Sequence, residues 1–113
     1  MSADIPSFDI EVSDDNGTTR FVPRGELDLA TAPALEDRVL TAVRDAAGRP
    51  VVLDLRELTF MDSTGVRTLV AAHQAAAEHG SDLRVVRPAP GSPVSRVIEI
   101  SGIDDALGLV DDA

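Results

Sequence analysis

The chain has 113 residues, a formal charge of −10 at pH 7, 43% hydrophobic residues and only 3% aromatic ones, a length and balance that fit one domain with an aliphatic core. The acidic balance argues against direct binding to nucleic acid or to an anionic membrane surface, because both demand positive charge. There is no cysteine, so disulfides and thiolate metal sites are excluded; no window nears the length of a membrane span, and the start "MSADIPSFDI" lacks the basic and apolar segments of a secretory signal. A cytoplasmic protein is the expectation.

The pattern "SFDIEVS" alternates and predicts a strand over about 8–13. "DDNG" at 14–17 is a turn signal. "TTRFVPRG" predicts a second strand over about 18–24, paired antiparallel with the first, with Pro23 marking an edge or a strand end. In "DLATAPALEDRVLTAVRDAAG", Thr31 reads as the N-cap of a first helix, Pro33 sits in its first turn and Gly48 ends it. Leu35, Val39, Ala42, Val43 and Ala46 form its apolar stripe.

"PVVLDLREL" opens with a continuous apolar run and predicts a buried strand over about 51–55; the charges after it read as a solvated loop in which Arg56 and Glu57 pair. "STGVRTLVAAHQAAAEHG" predicts a second helix ending at Gly80, with Val66, Leu69, Val70, His73 and Ala77 on one face. "DLRVVRP" predicts a strand over about 83–87. A short third helix follows from Pro93 to Ser101 with Val94, Val97 and Ile98, and "ALGLV" reads as an edge strand or a final turn.

The order β-β-α-β-α-β-α implies an α/β fold. We expect a mixed, mostly parallel four-stranded sheet in the order 1-2-3-4, a fifth short strand if "ALGLV" joins it, and three or four helices. One domain over 1–113, ordered over about 8–110, is expected, with loose ends at 1–5 and 111–113 and an acidic tail that is only solvated.

Sites in such sheets gather at the carboxyl ends of parallel strands. Residues 25–28 ("GELD"), 60–65 ("FMDSTG") and 87–91 ("RPAPG") should meet there. Within "DSTG", Ser63 reads locally as the N-cap of the second helix and Asp62 as a negative charge at its positive end. Gly65 in the first turn is a poor helix former whose cost calls for a reason, such as close approach of another backbone or molecule.

No nucleophile elbow, phosphate-binding loop or dinucleotide fingerprint is present. His73 and His79 are six apart, off a common helical face and without a carboxylate set, so neither a metal site nor catalysis is expected. His73 reads as a half-buried packing residue, and His79 as a partner of the helix C-terminus.

"RGELDLATAPAL" at 24–35, "VVLDLRELTFMDSTGVRTLV" at 51–70 and "VSRVIEISGIDDAL" at 94–107, in this order, resemble the bacterial anti-sigma-factor antagonists, the stand-alone STAS domains. The resemblance covers about 8–110. It implies that Ser63 is phosphorylated by the partner, an anti-sigma factor that is also a serine protein kinase with bound nucleotide. It implies that the unphosphorylated chain binds this partner and frees the sigma factor, and that a phosphatase resets the switch. By the same resemblance Asp62, Thr64 and Gly65 flank the acceptor at the interface, with Asp28 and Thr31 on the same rim.

Arg67 departs from the pattern, standing where phosphorylated members commonly carry a small residue. It is placed either to contact the partner or to pair with phosphoserine one turn away. Ile98 stands where an aromatic is common and reads as a core exchange. A monomer is the default expectation, and no cofactor is expected. Two other readings stay open: a STAS scaffold in a stressosome-type or membrane-transport complex, and a small-molecule sensor taking an anion at Thr64–Gly65.

Overall fold

The computed structural model describes residues 8–113. The expected loose end at 1–5 lies outside them. Strand β1 (Asp9–Asp15) and strand β2 (Thr18–Leu27) form an antiparallel hairpin in which Asp15 faces Thr18. Asn16 and Gly17 make the two-residue turn, both at positive φ (53° and 84°), the conformation in which Asn and Gly are favoured.

Helix α1 (Ala32–Asp45) follows, burying Ala32, Leu35, Val39 and Val43 at helical spacing. Strand β3 (Val51–Asp54) is buried at every position. Strand β4 (Leu58–Met61), helix α2 (Ser63–His79), strand β5 (Leu83–Val86), helix α3 (Pro93–Ser101) and helix α4 (Asp104–Leu107) complete the chain.

The sheet order is β1-β2-β3-β5, as expected for those four strands, with β2, β3 and β5 mutually parallel. The "ELTF" segment is not a loop. After a turn at Arg56–Glu57, its last three residues belong to β4, which pairs in parallel with the end of β2, Leu27 facing Met61. β3 pairs with the start of β2 at Thr19–Phe21, and β4 with its end at Gly25–Leu27. Pro23 is therefore neither at an edge nor at a strand end. It occupies the seam between these two pairings, where a missing N–H removes least from the ladders. The segment "ALGLV" contributes the end of α4 and then a single parallel bridge from Val110 to Val86.

Buried side chains of all four helices join Phe21, Leu27, Val51, Leu53, Leu58, Met61 and Val85 in one core cluster, in which Ile98 also sits. By strand alternation Val52, Asp54 and Val86 point to the opposite face. There Asp54 is only 5% exposed and takes an ion pair from Arg56 at 2.8 Å and another from Arg20 at 3.2 Å. The expected Arg56–Glu57 pair is thus replaced by one with a buried partner. At the exposed end of the chain Asp111 pairs with Arg87 at 2.6 Å, Asp112 lies 3.7 Å from Arg56, and Arg20 donates to the Ala113 carbonyl.

Helix α2 turns a different face inward from the one expected. Gly65, Thr68, Leu69, Ala72 and Ala76 are buried, whereas His73 and Ala77 are exposed. The alanine-rich sequence carries little periodic contrast, so its pattern points to Val66 and Val70 and not to the small residues that allow close packing. Gly80 ends the helix at φ 63°, and Ser81 N–H returns to the Ala76 carbonyl at 2.8 Å, as in a Schellman closure.

Candidate functional site

The parallel pairing of β2 with β4 brings two exits from the sheet together. Asp62 N–H donates to the Leu27 carbonyl at 3.2 Å, so the turn after "GEL" and the start of α2 lie side by side. The third expected segment does not join them. Arg87, Pro88, Pro90 and Gly91 instead line a separate hollow of about 360 Å³ with Ile98 and Asp104.

The turn after β2 is stiffened by its own side chains. Asp28 Oδ1 accepts from Ala30 N–H at 3.0 Å and from Thr31 N–H at 3.2 Å. Thr31 Oγ1 accepts from Asp28 N–H at 2.9 Å and donates to the Glu26 carbonyl at 2.7 Å. Thr31 stands at the start of α1 but makes no side-chain cap bond to the helix; the turn holds it instead. The Asp28 carboxylate supplies the local acceptor.

At α2 the expected cap moves by one residue. Asp62 has extended backbone angles (φ −108°, ψ −167°), and its carboxylate accepts from Thr64 N–H at 2.9 Å and Gly65 N–H at 3.4 Å. Ser63 is the first helical residue, not the cap, and its side chain is exposed. The reason lies in the sheet. Met61 is the last paired residue of β4, so the chain leaves the extended region at 62, and the residue there takes the capping geometry.

Gly65 is explained by packing from within the domain. A Cβ at this position would lie 2.9 Å from Met61 Sδ and 3.1 Å from Leu27 Cδ2, both on buried side chains. The close approach anticipated at Gly65 is thus made by the strand pair that builds the site. Thr64 is half-buried and Arg67 exposed.

Beside these residues, α1 and α2 leave a groove of about 410 Å³ lined by Pro33, Glu36, Asp37, Leu40, Thr64 and Arg67, among others. Buried Thr68 donates to Glu36 Oε1 at 3.2 Å across the groove floor. Sequence reasoning missed Glu36 and Thr68; the available signal was the Gly65–Thr68–Leu69 spacing, which marks the inner helix face. The expected site residues Asp28, Thr31, Asp62, Ser63, Thr64, Gly65 and Arg67 are thus gathered on the two adjoining exits and the first turns of α2. Among the described residues, no group of His, Asp and Glu is arranged to hold a metal ion, and no helix is long and apolar enough to cross a membrane.

With this geometry in place, the profile of the family described as "Mlab, STAS domain" matches residues 12–111. The chain belongs to the STAS domain family. This STAS domain is 32% identical over 103 residues to the anti-sigma-F factor antagonist RsfB of Mycobacterium tuberculosis, covering 91% of this chain and 81% of RsfB. It is also 32% identical over 83 residues to the anti-sigma-B factor antagonist of Staphylococcus aureus, covering 74% of each chain. Among solved structures, the crystal structure of an anti-sigma factor antagonist from Mycobacterium paratuberculosis superposes with a TM-score of 0.79 at 29% identity, over 99% of this chain and 92% of that one. The mixed sheet with four helices is thus the STAS fold expected from the sequence, with β4 added.

Proposed function

We propose that this STAS domain is an anti-sigma factor antagonist: a binding protein, not an enzyme, that captures an anti-sigma factor through the Asp28–Thr31 turn and the start of α2, and that phosphorylation of Ser63 switches off. One observation carries the reading. Asp62 caps α2, so the exposed Ser63 hydroxyl is not required by the fold and is available for chemistry. The names of its relatives support the same class of partner.

In this reading the anti-sigma factor holds ATP and acts as the kinase. Ser63 Oγ forms a bond to the γ-phosphorus, the bond from that phosphorus to the ADP oxygen breaks, and the hydroxyl proton passes to a base of the kinase. The product carries about 1.5 to 2 added negative charges beside Asp62. The fold tolerates a phosphate there, because helix N-termini favour negative charge. A close-packed partner surface does not. A phosphatase restores the hydroxyl by hydrolysis. Such a switch on transcription operates in the cytoplasm.

The test is peptide-resolved mass spectrometry after incubation with ATP and host lysate, on wild type and Ser63→Ala. The expected result is one phosphate at Ser63 on wild type and none on the variant. A wild-type chain that stays unmodified in a lysate labelling a control substrate would sink the reading.

A further inference from the structure

We propose that Arg67 is the residue that senses the phosphate: once Ser63 is phosphorylated, the Arg67 guanidinium pairs with it and is withdrawn from the contact rim. The inference rests on the reading of Ser63 as the acceptor and adds the element that makes the switch internal to this chain.

The argument begins with position. Ser63 and Arg67 are four residues apart on α2, the spacing at which helix side chains become neighbours. The Cα–Cβ bonds of a helix tilt toward its N-terminus, so a long side chain at 67 covers the turn that holds Ser63 and Thr64. The planar guanidinium offers paired donors that match phosphate oxygens, and hydrogen bonds between ionised groups of this kind are the stronger class.

Availability comes next. Among the described residues, the Arg67 side chain makes no ion pair and no hydrogen bond, and it is exposed. The residues lining the α1–α2 groove include two acids, Glu36 and Asp37, and Arg67 as their single cation. Neither acid lies within ion-pair distance of Arg67. The Asp62 carboxylate is engaged with the backbone N–H groups of Thr64 and Gly65. A dianion on Ser63 therefore stands beside the Asp62 carboxylate, with the uncommitted Arg67 guanidinium within reach one turn on.

A cation near the positive end of a helix is unfavourably placed. Phosphorylation reverses that sign. The same event then removes two features from the rim at once, the neutral hydroxyl and the free guanidinium, so it changes the surface by more than the charge of the phosphate alone.

The experiment installs phosphoserine at position 63 during translation, which makes it independent of any kinase. The side-chain Nε–Hε resonances of the arginines are recorded with and without the phosphate, and Arg67→Gln assigns the Arg67 peak by its loss. The expected result is a downfield move and slowed water exchange for Arg67, with the other arginines unchanged. In melting experiments, Tm of the phosphorylated form relative to the unphosphorylated one should be about 4 °C lower in Arg67→Gln than in wild type, with Arg67→Lys intermediate. An Arg67 resonance that stays in place, with equal Tm changes in wild type and Arg67→Gln, would overturn the proposal. That outcome leaves the Ser63 assignment to the lysate labelling, so the two readings fail separately.

Discussion

The two sides of this domain use charge in opposite ways. On the back face, arginines are committed. Arg20 and Arg56 hold Asp54 and Arg84 holds Asp82 at 2.8 Å, and beside the hollow lined by α3 and α4 Arg87 holds Asp111. On the rim, the carboxylates of Asp28 and Asp62 are taken up by backbone N–H groups of their own turns. Among the described residues, the rim leaves the hydroxyls of Ser63 and Thr64 and the guanidinium of Arg67 without a side-chain partner. A charge with a fixed partner maintains a shape, whereas a charge without one can respond to a new ligand or modification. Composition counts all ten arginines alike; only their partners separate the two kinds.

The comparison is broken most severely at Asp54. Removing the acid from the back face strips Arg20 and Arg56 of their shared partner and deletes the acceptor for Arg56 N–H, a 3.0 Å bond. Losing one member of a buried pair costs about 3–5 kcal/mol when the survivor stays buried. Here the arginine side chains are 27% and 45% exposed and can turn to water. We therefore expect Asp54→Ala to lower stability by about 2 kcal/mol, read as a fall of about 10 °C in Tm. The pH dependence follows from the same contacts. Burial pushes the Asp54 carboxyl up, but hydrogen bonds from Arg56 and the charges of Arg56 and Arg20 outweigh it and hold the group below the ordinary carboxylate range. A depressed folded pKa means a stabilisation that is fully present above the unfolded value, near pH 4, and lost as pH falls through the folded one. Below about pH 4, wild type should lose Tm more steeply than Asp54→Asn. Parallel melting curves for the two would remove Asp54 from the account.

Gly65 tests the rim at the point where the strands support it. An added methyl gains up to about 1 kcal/mol in helix propensity. It also presses on Met61 and Leu27, which are 1% and 0% exposed and have no room to retreat. Overpacking a closed core costs about 1–3 kcal/mol. Gly65→Ala is expected to destabilise by about 1 kcal/mol in urea unfolding, and to disturb amide resonances on β4 and at Asp28. A stabilised variant would show that Met61 can repack freely.

Where sequence and structure agree, local chemistry decides the outcome. "DDNG" makes its turn because Asn16 and Gly17 accept positive φ. Helix α1 buries the stripe its spacing announces. The misses share a different cause: they depend on partners distant in sequence. Leu58–Met61 becomes a strand because Gly25–Leu27 lies beside it, and its burial, inward only at both ends, carries no alternation to detect. That pairing fixes where the extended chain stops, and so gives the cap to Asp62. Both Asp and Ser are good caps, and propensity alone does not choose between them. The tail pairs with Arg56 and Arg87 for the same non-local reason. "GELD" and "DSTG" were legible as local motifs because each carries turn or cap chemistry, and the structure sets them side by side. Glu36 and Thr68 were not, because their meeting requires α1 to lie against α2.

The smallest expected effect closes the contrast with Asp54. In the unphosphorylated chain, Arg67→Gln removes an exposed side chain with no ion pair or hydrogen bond among the described residues, and it keeps length and helix propensity nearly constant. Stability should therefore change by no more than about 0.5 kcal/mol in urea unfolding, with a slight gain from removing a cation near the helix N-terminus. A loss above about 1 kcal/mol would mean that Arg67 already has a standing partner, Glu36 or Asp37 across the groove being the nearest candidates. It would then belong with the committed arginines of the back face. A value near zero, beside a loss of about 2 kcal/mol at Asp54, identifies Arg67 as a charge that the folded state leaves unused.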